Sequence, residues 1–394
     1  MQSGGLFLLI IGSLGDKYGR KITASMITVI IFVICLITQI AMQWIPMSIN
    51  IKFGLLLLNQ LASGLTASSY SIIFILMLEL SSSRHTSLAG NSALVSFTLG
   101  EALQTLFAYL SRNWQLLKWI NLAFIALGLP YLYFMPESPY FLYSKKECHK
   151  LEQLLRQIAQ MNQRQESDWY PYYQELLKTS SFRVVVQPQK LSFIQKIKKL
   201  LTHQPTVRKL LIIGAIGFTT LLLYIKISYG LAGMKGVSPY INILIGAAVE
   251  AVGYISGSIL ITTRLGRKYS FIGFTVLTLA CVLAIPFLST QYPVHTVFIA
   301  QIGKYAISGA ICVSWIYIPE LFPTAIRSSA NGFFIAISRV GAIAAPVIDS
   351  SIGDQYIKIT FYVYSGLALI MLFLTLLLPE TRDMSLTDET VINT

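Results

Sequence analysis

Five charged residues lie inside long apolar stretches of the sequence. They are Glu101, Lys226, Glu250, Lys304 and Arg339. Placing a charged side chain at the centre of a lipid bilayer costs about 2.5–3.5 kcal/mol on the insertion scale, so such residues are expected to face a polar cavity or one another. Two acids and three bases in these positions predict a polar path through an apolar helical protein, or a network of ion pairs within it.

Arg339 is the residue best suited to recognising a small ion. It lies near the middle of its apolar stretch, and Ile335 and Ala342 share its face at helical spacing. Because a guanidinium is planar, it can bind a carboxylate or a sulfate through two parallel hydrogen bonds. The sequence therefore predicts an anion contact at Arg339. The alternative is a structural ion pair with Glu250 or Glu101.

The other candidates for substrate contact are weaker. Lys226 lies about six residues, roughly 9 Å of helix, from the outer end of its stretch and could instead extend to the interface. Glu250 is predicted to balance Arg339 or to recognise a zwitterion, and Glu101 could carry a proton if it is buried. Lys304 is interpreted as structural. The candidate aromatic contacts are Tyr70, Tyr224 and Trp315.

The elements that must hold these residues are membrane-spanning helices. Of the 394 residues, 54% are hydrophobic and 12% are charged, whereas a soluble domain is roughly 25% charged. This composition excludes a soluble enzyme, a nucleic-acid-binding protein and a disordered chain. The apolar residues fall into runs of about 20, the length that a helix needs to cross a bilayer. The predicted spans are 22–45, 53–78, 88–110, 115–135, 209–232, 240–262, 269–289, 296–318, 326–348 and 357–378, preceded by an apolar stub at 3–14.

The basic residues orient these spans. One side collects 22 Lys and Arg residues, thirteen of them between Lys145 and Lys209, against five on the other side. Since basic residues accumulate on the cytoplasmic side, the richer side is predicted to be cytoplasmic. The predicted domains are an incomplete N-terminal membrane half at 1–135, a cytoplasmic linker at 136–208, a C-terminal membrane half at 209–378 and a cytoplasmic tail at 379–394.

Three short motifs occur twice in the same order. The pairs are DKYGRK at 16–21 with TRLGRK at 263–268, Glu79 with Glu320, and MPES at 135–138 with LPET at 378–381. The offsets within the pairs are 247, 241 and 243 residues. Two six-helix halves in the same orientation, with a substrate site between them near the midplane, explain this pattern. On this interpretation the first helix and part of the second are missing from the first half, which leaves about eleven spans.

The repeated motifs also predict a cytoplasmic gate. Gly19 permits a tight turn. Asp16 could accept hydrogen bonds from a helix N-terminus, or pair with Arg20 or Arg327. Such contacts would hold the gate in one of two states, as a carrier requires; the alternative is an ordinary turn with basic residues. The gating candidates are Asp16, Gly19, Arg20, Lys21, Glu79, Arg84, Glu137, Arg267, Glu320 and Arg327.

In sequence and order, these motifs resemble the major facilitator superfamily, and within it the organic cation, organic anion and carnitine carriers. The resemblance is carried by GSLGDKYGRK (12–21), PESPYFL (136–142), PELFPTAIR (319–327), SRVGAIAAP (338–346) and LPET (378–381). It implies the major facilitator fold, with the five buried charges on helices around the central cavity or the lateral seams. It also implies an anion or carnitine carrier, since those carriers tend to have Arg at the position of Arg339, where cation carriers have an acid.

Residues and resemblance together predict an all-α carrier that moves a small organic ion, preferably an anion or zwitterion, by alternating access across the plasma membrane. A sugar porter is one alternative, because the PES and PET motifs also fit that class. A receptor or scaffold that does not transport is another, because Gln60, Gln115 and Tyr140 stand where the family has basic residues. No GxxxxGK[ST] loop occurs and the cysteines lack metal-ligand spacing. The sequence therefore predicts no cofactor, no metal and no enzymatic activity.

Overall fold

The structure, a computed structural model, consists of helices throughout the part of the chain that it describes. The described residues are 11, 14–15, 17–81, 86–178, 204–233, 238–288, 293–322, 324–352 and 357–381. Every regular element within these ranges is a helix. The prediction of an all-α protein is therefore confirmed.

Fourteen helices follow one another along the described residues. They are α1 (Arg20–Trp44), α2 (Ile49–Gly64), α3 (Thr66–Leu80), α4 (Thr86–Ser111), α5 (Trp114–Phe134), α6 (Pro139–Ser144), α7 (Cys148–Met161), α8 (Glu166–Lys178), α9 (Gln204–Gly233), α10 (Pro239–Thr262), α11 (Gly266–Leu288), α12 (Pro293–Glu320), α13 (Thr324–Ile352) and α14 (Ile357–Leu376). Helices α2 and α3 meet at Leu65 and together form one span of 32 residues. The described residues thus contain ten segments long and apolar enough to cross a membrane.

These ten segments correspond to the ten spans predicted after the stub, with helix ends that agree to within about five residues. The agreement has a physical cause, because a helix in lipid must satisfy its backbone internally over the full hydrocarbon thickness. Most of the stub at 3–14 lies outside the described residues. The loops between consecutive spans are short, apart from the stretch between α5 and α9.

Helices α9–α14, here called the C-terminal half, share the largest core. α9 packs along α13 and also touches α12 and α14, while α12 packs against α10 and α11. Ile213 and Ile216 of α9 and Tyr364 of α14 are fully buried. A Cβ on Gly253 of α10 would come within 2.7 Å of the carbonyl oxygen of Tyr305 on α12. Such close approach at a small residue is typical of helix pairs in membranes, and it holds α10 against α12.

Helices α1–α5, here called the N-terminal half, pack around α1. This helix contacts α2, α3 and α5, and its Ala24 and Ile31 are buried beside Ile72 of α3. The main contact between the two halves is made by α4 with α10. That seam is where a charged residue of one half can meet charged residues of the other.

The helices α6–α8 form a small unit of their own between the halves. Leu142, Leu151, Leu154 and Tyr173 are buried together there. The apolar spacing at 145–165 is that of an amphipathic helix, which favours a helix lying on the cytoplasmic surface, and α7 forms within that range. Its apolar face packs against α6 and α8, so protein covers that face.

Candidate functional site

A buried ammonium joins the two halves. The Nζ atom of Lys304, on α12, lies 3.1 Å from Oε1 of Glu101 on α4 and 3.1 Å from Oε2 of Glu250 on α10. Lys304 is 2% exposed and Glu250 is 0% exposed, whereas Glu101 is 26% exposed. Three charges far apart in the sequence therefore meet at one point of the seam.

Two tyrosines complete the surroundings of Glu250. The Tyr254 hydroxyl donates to Oε1 of Glu250 at 2.6 Å, and the Tyr224 hydroxyl donates to the same oxygen at 3.0 Å. Tyr254 lies one helical turn beyond Glu250 on α10, so the i, i+4 spacing brings them together. The other oxygen of Glu250, Oε2, makes no hydrogen bond among the described residues, but it lies in ion-pair contact with Lys304. This environment suits an ionised carboxylate.

The sequence placed these groups on the right helices but not in the right pairs. Glu250 was expected to balance Arg339, and instead it forms its ion pair with Lys304. Glu101, the second expected partner of Arg339, also pairs with Lys304. Tyr254 was missed, although its i+4 spacing from an intramembrane acid was a usable signal.

Arg339 lies in the middle of α13 and lines a small cavity of about 50 Å³. Trp315 of α12 lines the same cavity, as do Thr220 of α9 and Ser338 next to Arg339. The backbones of α13 and α9 are in close contact beside this cavity. A Cβ on Gly341 would overlap the carbonyl group of Phe218. A water molecule occupies about 30 Å³ of liquid. Ligand pockets usually have about 300–1,000 Å³, so the cavity beside the guanidinium is much smaller than a usual ligand pocket.

Two of the three predicted aromatic contacts, Tyr70 and Trp315, belong to a chain of rings that crosses between the halves. The Tyr70 ring lies 6.2 Å from Phe74 and 6.2 Å from Phe97, and Phe74 lies 5.3 Å from Trp315. The Tyr70 hydroxyl is buried without a hydrogen-bond partner among the described residues. A buried hydroxyl with no partner is costly, and it marks Tyr70 as a place where a ligand group could bind.

Lys226 is directed away from the seam. Its Nζ lies 2.6 Å from Oδ1 of Asp349 near the outer end of α13, and the same oxygen accepts a bond of 3.2 Å from the Tyr364 hydroxyl. The Lys226 ammonium also lies 4.9 Å from the centre of the Phe361 ring. Asp349 was missed because it follows the predicted end of its span by one residue. Substrate contact by Lys226 stays a prediction, while the geometry describes a structural pair among α9, α13 and α14.

The residues of the first gating motif are in contact with one another at the N-terminus of α1. The Glu137 carboxylate accepts backbone N–H bonds from Arg20 at 2.9 Å and from Lys21 at 3.1 Å. Arg20 in turn forms a 2.6 Å ion pair with Glu79. Gly19 has φ +106°, and a Cβ there would overlap the Glu137 carboxylate. A carboxylate at the start of a helix satisfies unpaired N–H groups and favours the helix dipole.

The second motif repeats these contacts one by one. Glu380 accepts backbone N–H bonds of 3.0 Å from Arg267 and from Lys268, and Arg267 pairs with Glu320 at 3.1 Å. Gly266 has φ +74°, with a Cβ position 2.8 Å from a Glu380 oxygen. The sequence repeat is thus a structural repeat. The first set of contacts belongs to the N-terminal half and the second set to the C-terminal half. Of the other gating candidates, Asp16 and Arg84 and the side chain of Arg327 lie outside the described residues.

A second, larger cavity lies within the N-terminal half. It has a volume of about 310 Å³, and its polar lining includes Gln39, Asn59, Gln104 and Lys118. The Lys118 ammonium donates to the Asn59 side chain, whose Nδ2 donates to Thr38 at 2.8 Å. Lys118 is one of the five basic residues counted on the outer side, and the structure places it one turn inside α5, on the wall of this cavity. Within the described residues, no group of three or more His, Cys, Asp or Glu side chains could hold a metal ion.

Comparison with known proteins agrees with this architecture. A model of the family described as "Sugar (and other) transporter" matches residues 4–391. The chain is 30% identical over 385 residues to human solute carrier family 22 member 13, covering 96% of this chain and 65% of that protein. It is 25% identical over 393 residues to mouse organic cation/carnitine transporter 2, with coverage of 96% and 65%. The chain therefore spans just under two thirds of the length of these relatives.

A solved structure gives the fold. The inward-open xylose transporter XylE from E. coli superposes with a TM-score of 0.68 at 15% identity, covering 98% of this chain and 86% of that one. The relatives named above are carriers of solutes rather than enzymes. With ten spans among its described residues, its paired motifs and a family match over nearly its whole length, this multi-pass membrane chain belongs to the sugar (and other) transporter family of the major facilitator superfamily.

Proposed function

We propose that this protein is a secondary transporter of small organic anions or zwitterions, and that Arg339 binds the carboxylate of the substrate between the two halves. The observation that carries the proposal is a guanidinium in the middle of a membrane helix that lines a cavity together with Trp315. A charge at that depth is costly unless it faces a partner or a polar path. A carboxylate suits it because two parallel hydrogen bonds match the planar guanidinium.

The surrounding rings support an organic substrate. Trp315 lines the Arg339 cavity, and through Phe74 it is in ring contact with Tyr70 of the other half. Aromatic faces hold apolar groups, and they attract a quaternary ammonium through cation–π interaction. A zwitterion with a carboxylate and an ammonium would therefore find complementary groups here. One relative is named an organic cation/carnitine transporter, and carnitine has that chemistry.

The small volume beside Arg339 supports alternating access as the mode of transport. A cavity of about 50 Å³ is well below the usual size of a ligand pocket, which favours a mechanism in which the halves move apart on one side to load the ion. The Arg20–Glu79 and Arg267–Glu320 pairs each lie within one half. They would survive such a movement and keep each half rigid. The gate proposed here opens between two stiff halves, in a membrane that we take to be the plasma membrane.

Uptake by purified protein in liposomes tests the proposal. The probes are labelled benzoate as an anion, carnitine as a zwitterion, tetraethylammonium as a cation and glucose as a hexose. We expect accumulation of benzoate or carnitine above protein-free liposomes, and none of glucose or tetraethylammonium. Uptake of glucose or of the cation alone would overturn the anion and zwitterion preference. Saturable binding of benzoate without uptake of any probe would favour the receptor or scaffold alternative.

A further inference from the structure

The cluster at the seam carries one negative charge too many. Lys304 supplies one positive charge, while Glu101 and Glu250 supply two negative charges if both are ionised. The two carboxyl groups also lie next to each other, close enough to interact. A net charge buried in a membrane protein is expensive, and a protein commonly avoids it by binding a proton.

The hydrogen bonds indicate which carboxyl group takes the proton. Glu250 accepts from two tyrosine hydroxyls and contacts the Lys304 ammonium, so three donors favour its ionised form against the one neighbouring carboxyl group of Glu101. Glu101 has only Oε1 in the contact with Lys304, and its buried Oε2 has no hydrogen-bond partner among the described residues. Leaving a carboxylate oxygen unpaired costs more than leaving the oxygen of a neutral acid unpaired.

A proton fits this place better than a metal cation does. The Lys304 ammonium already lies 3.1 Å from both carboxylates, so a second ion would be placed directly against a like charge. A proton adds to the carboxylate as an O–H bond and leaves no separate ion. The other groups around the cluster are Tyr224 and Tyr254 on the side of Glu250, and Arg339, which interacts with Tyr224.

We propose that Glu101 is the proton-binding site of the carrier, and that its protonation releases the N-terminal half from Lys304. The Glu101 carboxylate takes up one proton and becomes a neutral acid, while Lys304 keeps its ion pair with Glu250. The 3.1 Å contact between Glu101 and Lys304 is an ion pair between the halves, since α4 and α12 belong to different halves. Its loss would favour the movement of one half against the other. This coupling rests on the transport function proposed above, whereas the proton site itself does not.

Infrared spectroscopy of the purified protein tests the proton site without transport. A pH titration of the wild type should show the carbonyl stretching band of a buried carboxylic acid, and Glu101→Gln should lack it. Glu152→Gln is the matched control, because that carboxylate is on the linker helix α7, where it pairs with Arg156 in a partly exposed position. We expect the control to keep the band. A band that persists in Glu101→Gln would overturn the assignment of the proton to Glu101.

Uptake tests the coupling. In liposomes containing wild-type protein, an inward proton gradient should stimulate benzoate or carnitine uptake by about fivefold or more, the usual lower range for two coupled sites. Glu101→Gln should keep uptake without the gradient and lose the stimulation, and Glu152→Gln should behave like the wild type. Stimulation retained by Glu101→Gln, or a dependence on sodium instead, would overturn the coupling. An absence of uptake under all conditions contradicts the transport function, and the infrared result still decides the proton site.

Discussion

Arg267 and Glu320 form an ion pair through two contacts, Nε to Oε2 at 3.1 Å and Nη2 to Oε1 at 3.2 Å. Each of these side chains is 24% exposed. Glu320 also accepts a 2.7 Å hydrogen bond from the hydroxyl of Thr381. The pair therefore ties the start of α11 and the end of α12 to the segment after α14, at the end of the bundle that the basic residues predict to be cytoplasmic.

Exchange of these two charges tests how strongly the pair holds its half together. Arg267→Glu alone places two carboxylates together in a shielded site, and Glu320→Arg alone places two guanidinium groups together. Breaking a buried pair costs roughly 3 kcal/mol of the free energy of unfolding. The double variant should recover most of that loss. Thermal unfolding of the purified proteins in detergent compares the stability of the two single variants and the double variant with that of the wild type.

An exposed pair provides the control for this exchange. Lys150 and Glu147 on the linker are 2.7 Å apart, with side chains 68% and 39% exposed. Because water screens such a pair, Lys150→Glu should change the free energy of unfolding by about 1 kcal/mol or less. If Arg267→Glu were no more destabilising than Lys150→Glu, the Arg267–Glu320 contact would not stabilise the half.

Gly266 is a second test of the repeated motif. Its φ of +74° and the 2.8 Å distance from its Cβ position to Glu380 mean that alanine is disfavoured by both backbone and space. We expect Gly266→Ala to lower the free energy of unfolding by about 1–3 kcal/mol. Gly273→Ala, on the same helix with open space around it, should be neutral or stabilising by up to about 1 kcal/mol, because alanine is the better helix former. Equal stability of the two variants would show that the turn tolerates a side chain.

The repeated motif was predictable because it is local in sequence and occurs twice. GRK at 19–21 and at 266–268, together with the acids of the later motifs, identified most of the residues of this motif but not their pairing. Arg20 was assigned to Asp16, whereas the structure pairs it with Glu79. Glu380 was missed, although it takes the place in the second half that Glu137 takes in the first. The spans were predictable too, since the thickness of a bilayer fixes their length.

The partners of the intramembrane charges were not predictable in this way. Lys304 and Glu101 are separated by 203 positions in the chain, and which of three basic residues meets which acid depends on helix rotation and approach. Close packing at Gly253 sets that approach for α10 and α12. A hydropathy pattern indicates how deep a residue lies in the membrane but not towards which helix its side chain points. For this reason the sequence paired Glu250 with Arg339, whereas the structure pairs it with Lys304.

The pair of Lys226 and Asp349 can be tested by removing both charges. Lys226→Met leaves the Asp349 carboxylate without its ammonium, at a cost of roughly 3 kcal/mol in the free energy of unfolding. Replacing both residues, Lys226→Met with Asp349→Leu, should restore most of the stability, because apolar groups often substitute well for a buried pair. We expect the double variant to take up substrate with an unchanged KM. A stable double variant without uptake would instead support substrate contact by Lys226.

A variant at Tyr70 can show an effect on substrate binding without an effect on protein stability. Its hydroxyl is buried and has no hydrogen-bond partner among the described residues, so Tyr70→Phe should leave the thermal stability unchanged or slightly higher. If a substrate group bonds to this hydroxyl, the KM for uptake should rise by about fivefold, the equivalent of one hydrogen bond of roughly 1 kcal/mol. Tyr364→Phe is a contrasting variant, because that hydroxyl donates to Asp349 and its loss should lower stability. An unchanged KM in Tyr70→Phe would remove Tyr70 from the substrate contacts.

Arg339 is the decisive residue for selectivity. Arg339→Ala should abolish benzoate and carnitine uptake, because the carboxylate loses its charged partner inside the membrane. Arg339→Lys should keep part of the uptake with a higher KM, since an ammonium retains the charge but not the two parallel hydrogen bonds. Val340→Ala is the matched control, as the neighbouring side chain is 43% exposed and is not among the residues that line the Arg339 cavity, and its uptake should equal that of the wild type. Full uptake by folded Arg339→Ala would show that the substrate carboxylate binds elsewhere, and the polar cavity around Lys118 would then be the next place to search.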